Sequence, residues 1–451
     1  MPAMPHRNLV ASLLILALLA GHAVDRARDA HAAPAGQAGP GASSARGASD
    51  EPTHPAVPGA SLGPREPLAW FAPIEGLPIP GADGQDETEP DGADQSGWLG
   101  ITLEGASCGR GAPFRYYLNR SADPEAGLII WLSGGGVCVK DGPPPEGAAG
   151  PARELHCMTF SNFTDGFLND RTVDLLAVAP YFDRTNAASP FRAWHYAVIP
   201  YCTGDVHAGR MSEPYDYDPS PEAEFLVTHR GHLNVVAVLD DLVARLPNRD
   251  APVLLTGVSA GGFGAIFNYP EAVARWPNTA LIPDAGIAPM HPGSLLVRAG
   301  PAIAARWDAW ALMPPYCQEP RCVQDTLYLL AAHAGHHDGT TAPWRPFGYL
   351  QGQQDRTLAA FLEVTACGYQ VGLRGGLRDG QPNANLRAWV PATDQHVFGL
   401  TRDATTQSGI GWAGWFAELA TAANADELPA DAVDAWLPCP TIGLPFLSLQ
   451  R

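Results

Sequence analysis

Beyond its N-terminus the chain has no long apolar run, which excludes a protein that crosses a membrane several times as helices. It is short of basic residues: 28 Lys and Arg stand against 47 Asp and Glu, for a net charge of −19. An acidic chain repels phosphate backbones, so nucleic acid is not an expected partner, and polyanions meet no general attraction. No Cys-x-x-Cys pair occurs, which removes a common spacing of structural zinc sites. No repeat of fixed period is visible either, which sets repeat architectures aside.

What is present begins with a leader. Residues 1–23 carry His6 and Arg7, an apolar stretch from Leu9 to Ala20, and then small residues. That stretch is too short to span a bilayer comfortably and fits a secretory signal peptide; an uncleaved anchor is the alternative. Gly21-His22-Ala23 and Ala30-His31-Ala32 offer small-x-small cleavage sites. Residues 24–97 are rich in Ala, Gly, Pro and Ser and acidic from Asp83 to Asp94, a composition that reads as a disordered linker. Patterning starts at Trp98, so residues 98–451 form the expected single domain. All eight cysteines lie from Cys108 onward, and behind a leader they imply disulfides in an exported protein, extracellular or periplasmic. Eight cysteines allow about 105 pairings, so spacing alone leaves the connectivity open. Cys317 and Cys322 are close enough to staple one loop, and Cys108 and Cys439 are placed to tie the domain's ends to its body. Cys138, Cys157 and Cys202 lie beside the loops discussed next.

Apolar runs alternate with helical patterns. Strands are expected at Phe114–Leu118 (an edge), Gly127–Leu132, Val173–Ala179, Tyr196–Tyr201, Val253–Gly257, Ala280–Pro283, Phe347–Gln351 and Leu386–Val390. Helices are expected over Glu222–Leu246, Ala260–Trp276, Asp325–His333 and Leu358–Val364. Continuous apolar runs suit a mostly parallel sheet buried on both faces, with helices on either side. Ligands of such sheets bind beyond the carboxyl ends of the strands. Gly134–Gly136, Ser259, Asp284, Asp355 and His396 all fall just after an expected strand.

The sharpest of these is Gly257-Val258-Ser259-Ala260-Gly261, set between a strand and a helix. This is the nucleophile-elbow pattern, in which small residues two before and two after the serine allow a crowded turn. A serine hydroxyl needs a base, and the base needs an orienting acid. In chain order Ser, acid, His, the base is His396, the last histidine, in a polar loop after a strand. His333, His336 and His337 form a rival cluster with the character of a helix C-terminus. Asp355 ranks first as the acid, Asp284 is the alternative, and Asp394 is too near His396 in sequence. One oxyanion donor should be the Ala260 N–H, and another should come from the Ser133–Val137 glycine loop, where the backbone can approach a substrate oxygen.

Three segments in this order, Gly134-Gly135-Gly136-Val137-Cys138, Tyr201-Cys202-Thr203-Gly204-Asp205-Val206-His207-Ala208-Gly209 and Gly257-Val258-Ser259-Ala260-Gly261-Gly262, together resemble the pectinacetylesterase/Notum family of secreted carboxylesterases. His229-Arg230-Gly231 before a long helix is similar too, and the likeness runs from about Trp98 to Cys439. The resemblance implies an α/β-hydrolase-like fold, no cofactor, and removal of ester-linked acyl groups; plant members deacetylate pectin and the animal member takes a lipid off a signalling protein. It matches Ser259, Asp355 and His396 to the triad and puts the oxyanion donors at Gly135, Gly136 and Ala260. One departure is Val137, where the family usually has tryptophan.

The sequence therefore predicts a monomeric, disulfide-stapled α/β-hydrolase-like carboxylesterase that uses no metal or cofactor and is membrane-free after leader cleavage. O-acetyl groups on a polysaccharide are the favoured substrate, by resemblance. A peptidase or lipid-ester deacylase on the same fold, and a non-catalytic carbohydrate-binding protein using tryptophans such as Trp194, Trp307 and Trp310, are the alternatives.

Overall fold

A computed structural model describes residues 97–139, 156–159, 173, 176, 179–187, 189–212, 215–216, 226–379, 383–400 and 404–439. The leader expected at 1–23 and the linker at 24–97, Gly97 apart, lie outside the described residues. No helix among the described residues is long and apolar enough to cross a membrane.

In chain order the strands are β1 (Leu99–Ser107), β2 (Pro113–Asn119), β3 (Leu128–Leu132), β4 (Gly136–Val139), β5 (His156–Thr159), β6 (His195–Ile199), β7 (Tyr215–Asp216), β8 (Leu226–Val227), β9 (Val253–Val258), β10 (Thr279–Asp284), β11 (Phe347–Leu350), β12 (Leu386–Val390) and β13 (Ala432–Val433). The α-helices are α1 (Gly231–Arg245), α2 (Ala260–Arg275), α3 (Leu295–Arg306), α4 (Arg321–Gln324), α5 (Thr326–His336), α6 (Arg356–Phe361), α7 (Ala366–Asp379) and α8 (Trp412–Thr421). Nine strands make one sheet in the order β1-β2-β6-β3-β9-β10-β11-β12-β13. Within that sheet, among the described residues, only the β1–β2 and β2–β6 pairs are antiparallel. The rest are parallel.

The continuous apolar runs have a physical reason, since both sheet faces are buried. Leu128, Ile130 and Leu132 of β3 join one core with Val235 and Leu239 of α1 and Ile266 of α2. The intervening Ile129 and Trp131 join a second core with Trp412, Phe416 and Leu419 of α8. Alternate residues thus point to opposite, equally covered faces. From β3 the chain moves to β6 on one side, and it later enters β9 on the other side of β3. The connections after β3 and β9 therefore leave towards opposite sides of the sheet, and the carboxyl edge at such a point is where these sheets bind ligands.

Disulfides join Cys108 to Cys202, Cys317 to Cys322 and Cys367 to Cys439. Cys138 is disulfide-bonded as well. Its register partner in the β4–β5 hairpin is Cys157.

Several elements differ from expectation. β2 is not an edge, because β1 lies outside it. The helix expected from Glu222 starts only at Gly231, because Leu226–Val227 pairs with β7 and the Asp205 carboxylate takes the Gly231 N–H. Residues 222–225 lie outside the described residues. In the expected Val173–Ala179 strand, the described Val173 and Leu176 are in helical turns, their spacing of three putting both against the second core. α6 begins at Arg356 because the Asp355 side chain caps it, and it ends where Glu363 turns left-handed at φ 58°. α3, α4, α7, α8 and the strands β1, β4, β5, β7, β8 and β13 have no counterpart among the expected elements.

Candidate active site

Ser259 sits between β9 and α2 with φ 55° and ψ −123°, a backbone region that costs a non-glycine residue energy. Main chain holds it there. Its N–H donates to the Asp284 carbonyl at 2.9 Å, and its own carbonyl accepts from Gly262 and Phe263 at 2.8 and 3.2 Å. The corner has no spare volume: a Cβ on Gly261 would lie 1.9 Å from the Leu132 carbonyl oxygen. Ala260 opens α2, so its N–H belongs to the first turn, which has no intrahelical acceptor.

The glycine loop after β3 packs directly on this corner. A Cβ on Gly134 would meet the Val258 carbonyl oxygen at 2.5 Å and the Ser259 Cβ at 2.9 Å. Gly135 and Gly136 then run at φ 151° and 88°, which favours glycine.

Asp355 and His396 meet beyond the carboxyl ends of β11 and β12. Nδ1 of His396 is 2.7 Å from Oδ2 of the fully buried Asp355. Gln351 Nε2 donates to the same oxygen at 2.8 Å, and the Leu358 N–H donates to Oδ1 at 2.9 Å. The carboxylate accepts, so Nδ1 carries the proton and Nε2 has its lone pair available. His396 Nε2 is buried without a hydrogen-bond partner among the described residues. Burial opposes the imidazolium, but the Asp355 charge, its hydrogen bond and the Asp284 charge outweigh it and raise the His396 pKa.

The Asp284 carboxylate bonds main chain rather than the imidazole. Its carboxylate accepts the N–H groups of Phe398, at 2.9 Å to Oδ2, and Gly399, at 2.6 Å. Its main-chain carbonyl holds Ser259. One residue therefore clamps the His396 loop with its side chain and the nucleophile corner with its backbone. Burial drives its carboxyl up to about 7, against the opposing pull of the Gly399 and Phe398 N–H groups. Asp394 makes a half-exposed ion pair with Arg356 at 2.9 Å. His333 is a core residue: Nδ1 lies 2.8 Å from the Tyr316 hydroxyl and Nε2 3.1 Å from the Ile266 carbonyl oxygen. His336 stacks on Tyr316.

Ser259, Ala260, Gly136 and Val137 line a cavity of about 90 Å³ together with apolar residues, among them Phe263 and Phe267 of α2 and Leu295, Ile303 and Trp307 on or just after α3. Sequence reasoning missed this pocket because α3 was unread: Gly300 and Pro301 inside it blur its helical signal. It also missed Gln351 and the clamp by Asp284; an Asp closing an apolar strand is the only sequence signal for the latter.

A mostly parallel sheet with helices on both faces, a left-handed serine at a strand-to-helix corner and an aspartate-bound histidine on the same edge define an α/β-hydrolase-like protein. The resemblance read from the motifs holds more specifically: residues 100–288 match the family model described as Pectinacetylesterase. A crystal structure of the Wnt deacylase Notum from Drosophila, crystal form II, is similar at TM-score 0.50 and 19% identity, covering 75% of this chain and 97% of that one. Crystal form I of the same protein gives TM-score 0.48 and 17% identity, with 76% and 97% covered. Comparison with curated protein sequences found no match.

Proposed function

We propose that the chain is an exported serine carboxylesterase, with its catalytic domain in residues 98–451. Ser259 Oγ attacks the ester carbonyl, and His396 Nε2 takes the hydroxyl proton. Asp355 keeps the proton on Nδ1 and stabilises the imidazolium. N–H groups of Gly135, Gly136 and Ala260 receive the oxyanion. Collapse of the tetrahedral intermediate expels the alkoxide, which takes the proton from His396. Water, deprotonated by the same nitrogen, then attacks the acyl-serine and releases the acid. The observation that carries this reading is the unpartnered Nε2 of a histidine whose other nitrogen is fixed 2.7 Å from a buried carboxylate.

The pocket supports an apolar acyl group longer than acetyl. Its volume of about 90 Å³ is several times the ~10–15 Å³ that one water needs. Val137 lines it where a tryptophan would take that space. Each buried methylene is worth ~0.8 kcal/mol, about fourfold in kcat/KM. The family match favours the second reading, O-acetyl removal from a polysaccharide, as in the family's name. A panel of p-nitrophenyl esters separates them: kcat/KM should climb by up to about fourfold per methylene from acetate to hexanoate or beyond. A maximum at acetate, with acetate released from acetylated pectin, supports the second reading. No hydrolysis of any ester refutes both.

A further inference from the structure

The turn from Thr203 to Gly209 takes no part in the chemistry above, yet it holds some of the most deeply buried polar groups of the molecule. Asp205 and His229 are wholly inaccessible, and Thr203 and His207 nearly so. The Asp205 carboxylate accepts four hydrogen bonds. Oδ1 takes the Thr203 hydroxyl at 2.6 Å and the His207 N–H at 3.2 Å. Oδ2 takes the Gly209 N–H at 3.2 Å and the Gly231 N–H, at the start of α1, at 2.7 Å. A Cβ at Gly209 or Gly231 would stand 2.3 Å from this carboxylate. Solvation of the buried charge is thus supplied by fixed N–H groups and a helix start.

Around this anchor the chain passes through two successive left-handed non-glycine residues, Val206 at φ 48° and His207 at φ 58°. Such strain persists only where the surroundings over-determine it, and it clusters at functional sites. Here it aims both side chains at the site. Val206 enters the wall of the apolar pocket. His207 Nε2 reaches the Ser133 carbonyl oxygen at 2.9 Å. A carbonyl only accepts, so the imidazole donates from Nε2. Burial lowers its pKa and keeps the ring neutral. The opposite side of the turn is fixed by Asn268 of α2, whose Nδ2 donates to the His207 carbonyl at 2.9 Å.

The turn touches the glycine loop at three points. Ser133 receives the His207 hydrogen bond. The Tyr201 hydroxyl accepts the Val206 N–H at 2.8 Å, and a Cβ on Gly135 would lie 3.1 Å from that same ring. The Cys138 N–H donates to the Gly204 carbonyl at 2.7 Å. The residues before, within and after the glycine run are therefore all referenced to one buried frame. Glycines alone would leave that run free to rotate its N–H groups away.

We infer that Asp205 and His207 are positioning residues for the oxyanion donors: the strained, carboxylate-centred turn sets the backbone of Ser133–Gly136 and acts on the reaction only through the N–H groups of Gly135 and Gly136. The inference rests on the serine-esterase reading above. Its signature is selective: transition-state binding suffers and ground-state binding does not.

His207→Phe keeps a flat ring and removes the donor. It should lower kcat on a good p-nitrophenyl ester about 10- to 100-fold, less than the ~10²–10³ for deleting an oxyanion donor, with KM within about twofold. Affinity for a trifluoromethyl ketone, whose tetrahedral adduct carries an oxyanion, should fall by the same factor. His207→Gln restores a donor at similar reach and should recover most of the loss. A folded His207→Phe enzyme with wild-type kcat, or one whose loss lies wholly in KM, overturns the inference. If His207→Phe does not fold, Tyr201→Phe loosens the same turn by removing the acceptor of the Val206 N–H. A kcat-selective loss there supports the inference, and unchanged kcat overturns it. Failure of the underlying reading looks different, because ester hydrolysis would then survive Ser259→Ala in the otherwise wild-type chain.

Discussion

At the end of β9 Ser259 is held by main chain. Its own N–H and C=O are bonded, and three glycine contacts leave no room for a methyl group. Beyond the end of β12 His396 stands in a loop and is held by side chains instead: the Asp355 carboxylate grips its ring, and the Asp284 carboxylate grips the backbone two and three residues on. The nucleophile side is thus fixed by packing, which is independent of pH. The base side is fixed by carboxyl groups in a dry environment, where hydrogen bonds are strong and titration changes them. Asp284 is the seam between the two.

This contrast can be broken experimentally in order of expected effect. Ser259→Ala should cost about 10³–10⁶-fold in kcat on p-nitrophenyl esters without moving the melting temperature much. Combining it with His396→Ala should add almost nothing, since the residues act as a unit. Asp355→Asn should lower kcat by about 10³–10⁴-fold. It should also move the acid limb of the pH–rate profile. The base must be neutral to work, so activity falls below the His396 pKa, which Asp355 and Asp284 hold above the ordinary histidine value. Without the Asp355 charge the opposing burial gains weight, and the limb shifts to lower pH. A limb that shifts upward would contradict the assignment of the acid.

Substitutions on the packed side should behave otherwise. Gly257→Ala places a Cβ 2.4 Å from the Gly261 carbonyl oxygen and should destabilise by about 1–3 kcal/mol at every pH, read from urea midpoints. Asp284→Asn should give the smallest loss of activity, about tenfold or less, but the clearest change in pH-dependent stability. The Asp284 carboxyl titrates at about 7 in the folded protein, far above its usual value of 3.8. A raised folded pKa means that the group favours the folded state while protonated. That contribution is full below about pH 4 and is lost as pH rises to about 7. The Asn variant should lack this fall in melting temperature between those pH values; an unchanged slope would remove Asp284 from the seam.

The same contrast explains what was legible beforehand. The packed side writes itself into the sequence, because only small residues fit at 134, 257 and 261 and only an apolar run fits a strand covered on both faces. Ser259, the glycine loop and the parallel sheet were readable for that reason. The base side depends on distant partners, and nothing near Asp355 in sequence announces that its carboxylate faces residue 396. Chain order ranked it above Asp284, but the clamp by Asp284 and the contact from Gln351 needed coordinates. The pocket was invisible because its wall, α3, contains Gly300 and Pro301, and because lining is a property of convergence rather than of any one segment. The helix expected from Glu222 failed at its start, since periodicity extends through a segment whose beginning is set by a remote carboxylate.

The central claim is that one hydroxyl, at position 259, is made nucleophilic by the histidine at 396. Labelling the protein with a fluorophosphonate and mapping the adduct by peptide mass spectrometry tests it most directly. The account predicts a single adduct on Ser259, formed in step with loss of esterase activity and almost abolished in His396→Ala. An active enzyme whose adduct forms on another residue, or whose Ser259 labels equally fast without the histidine, would contradict it.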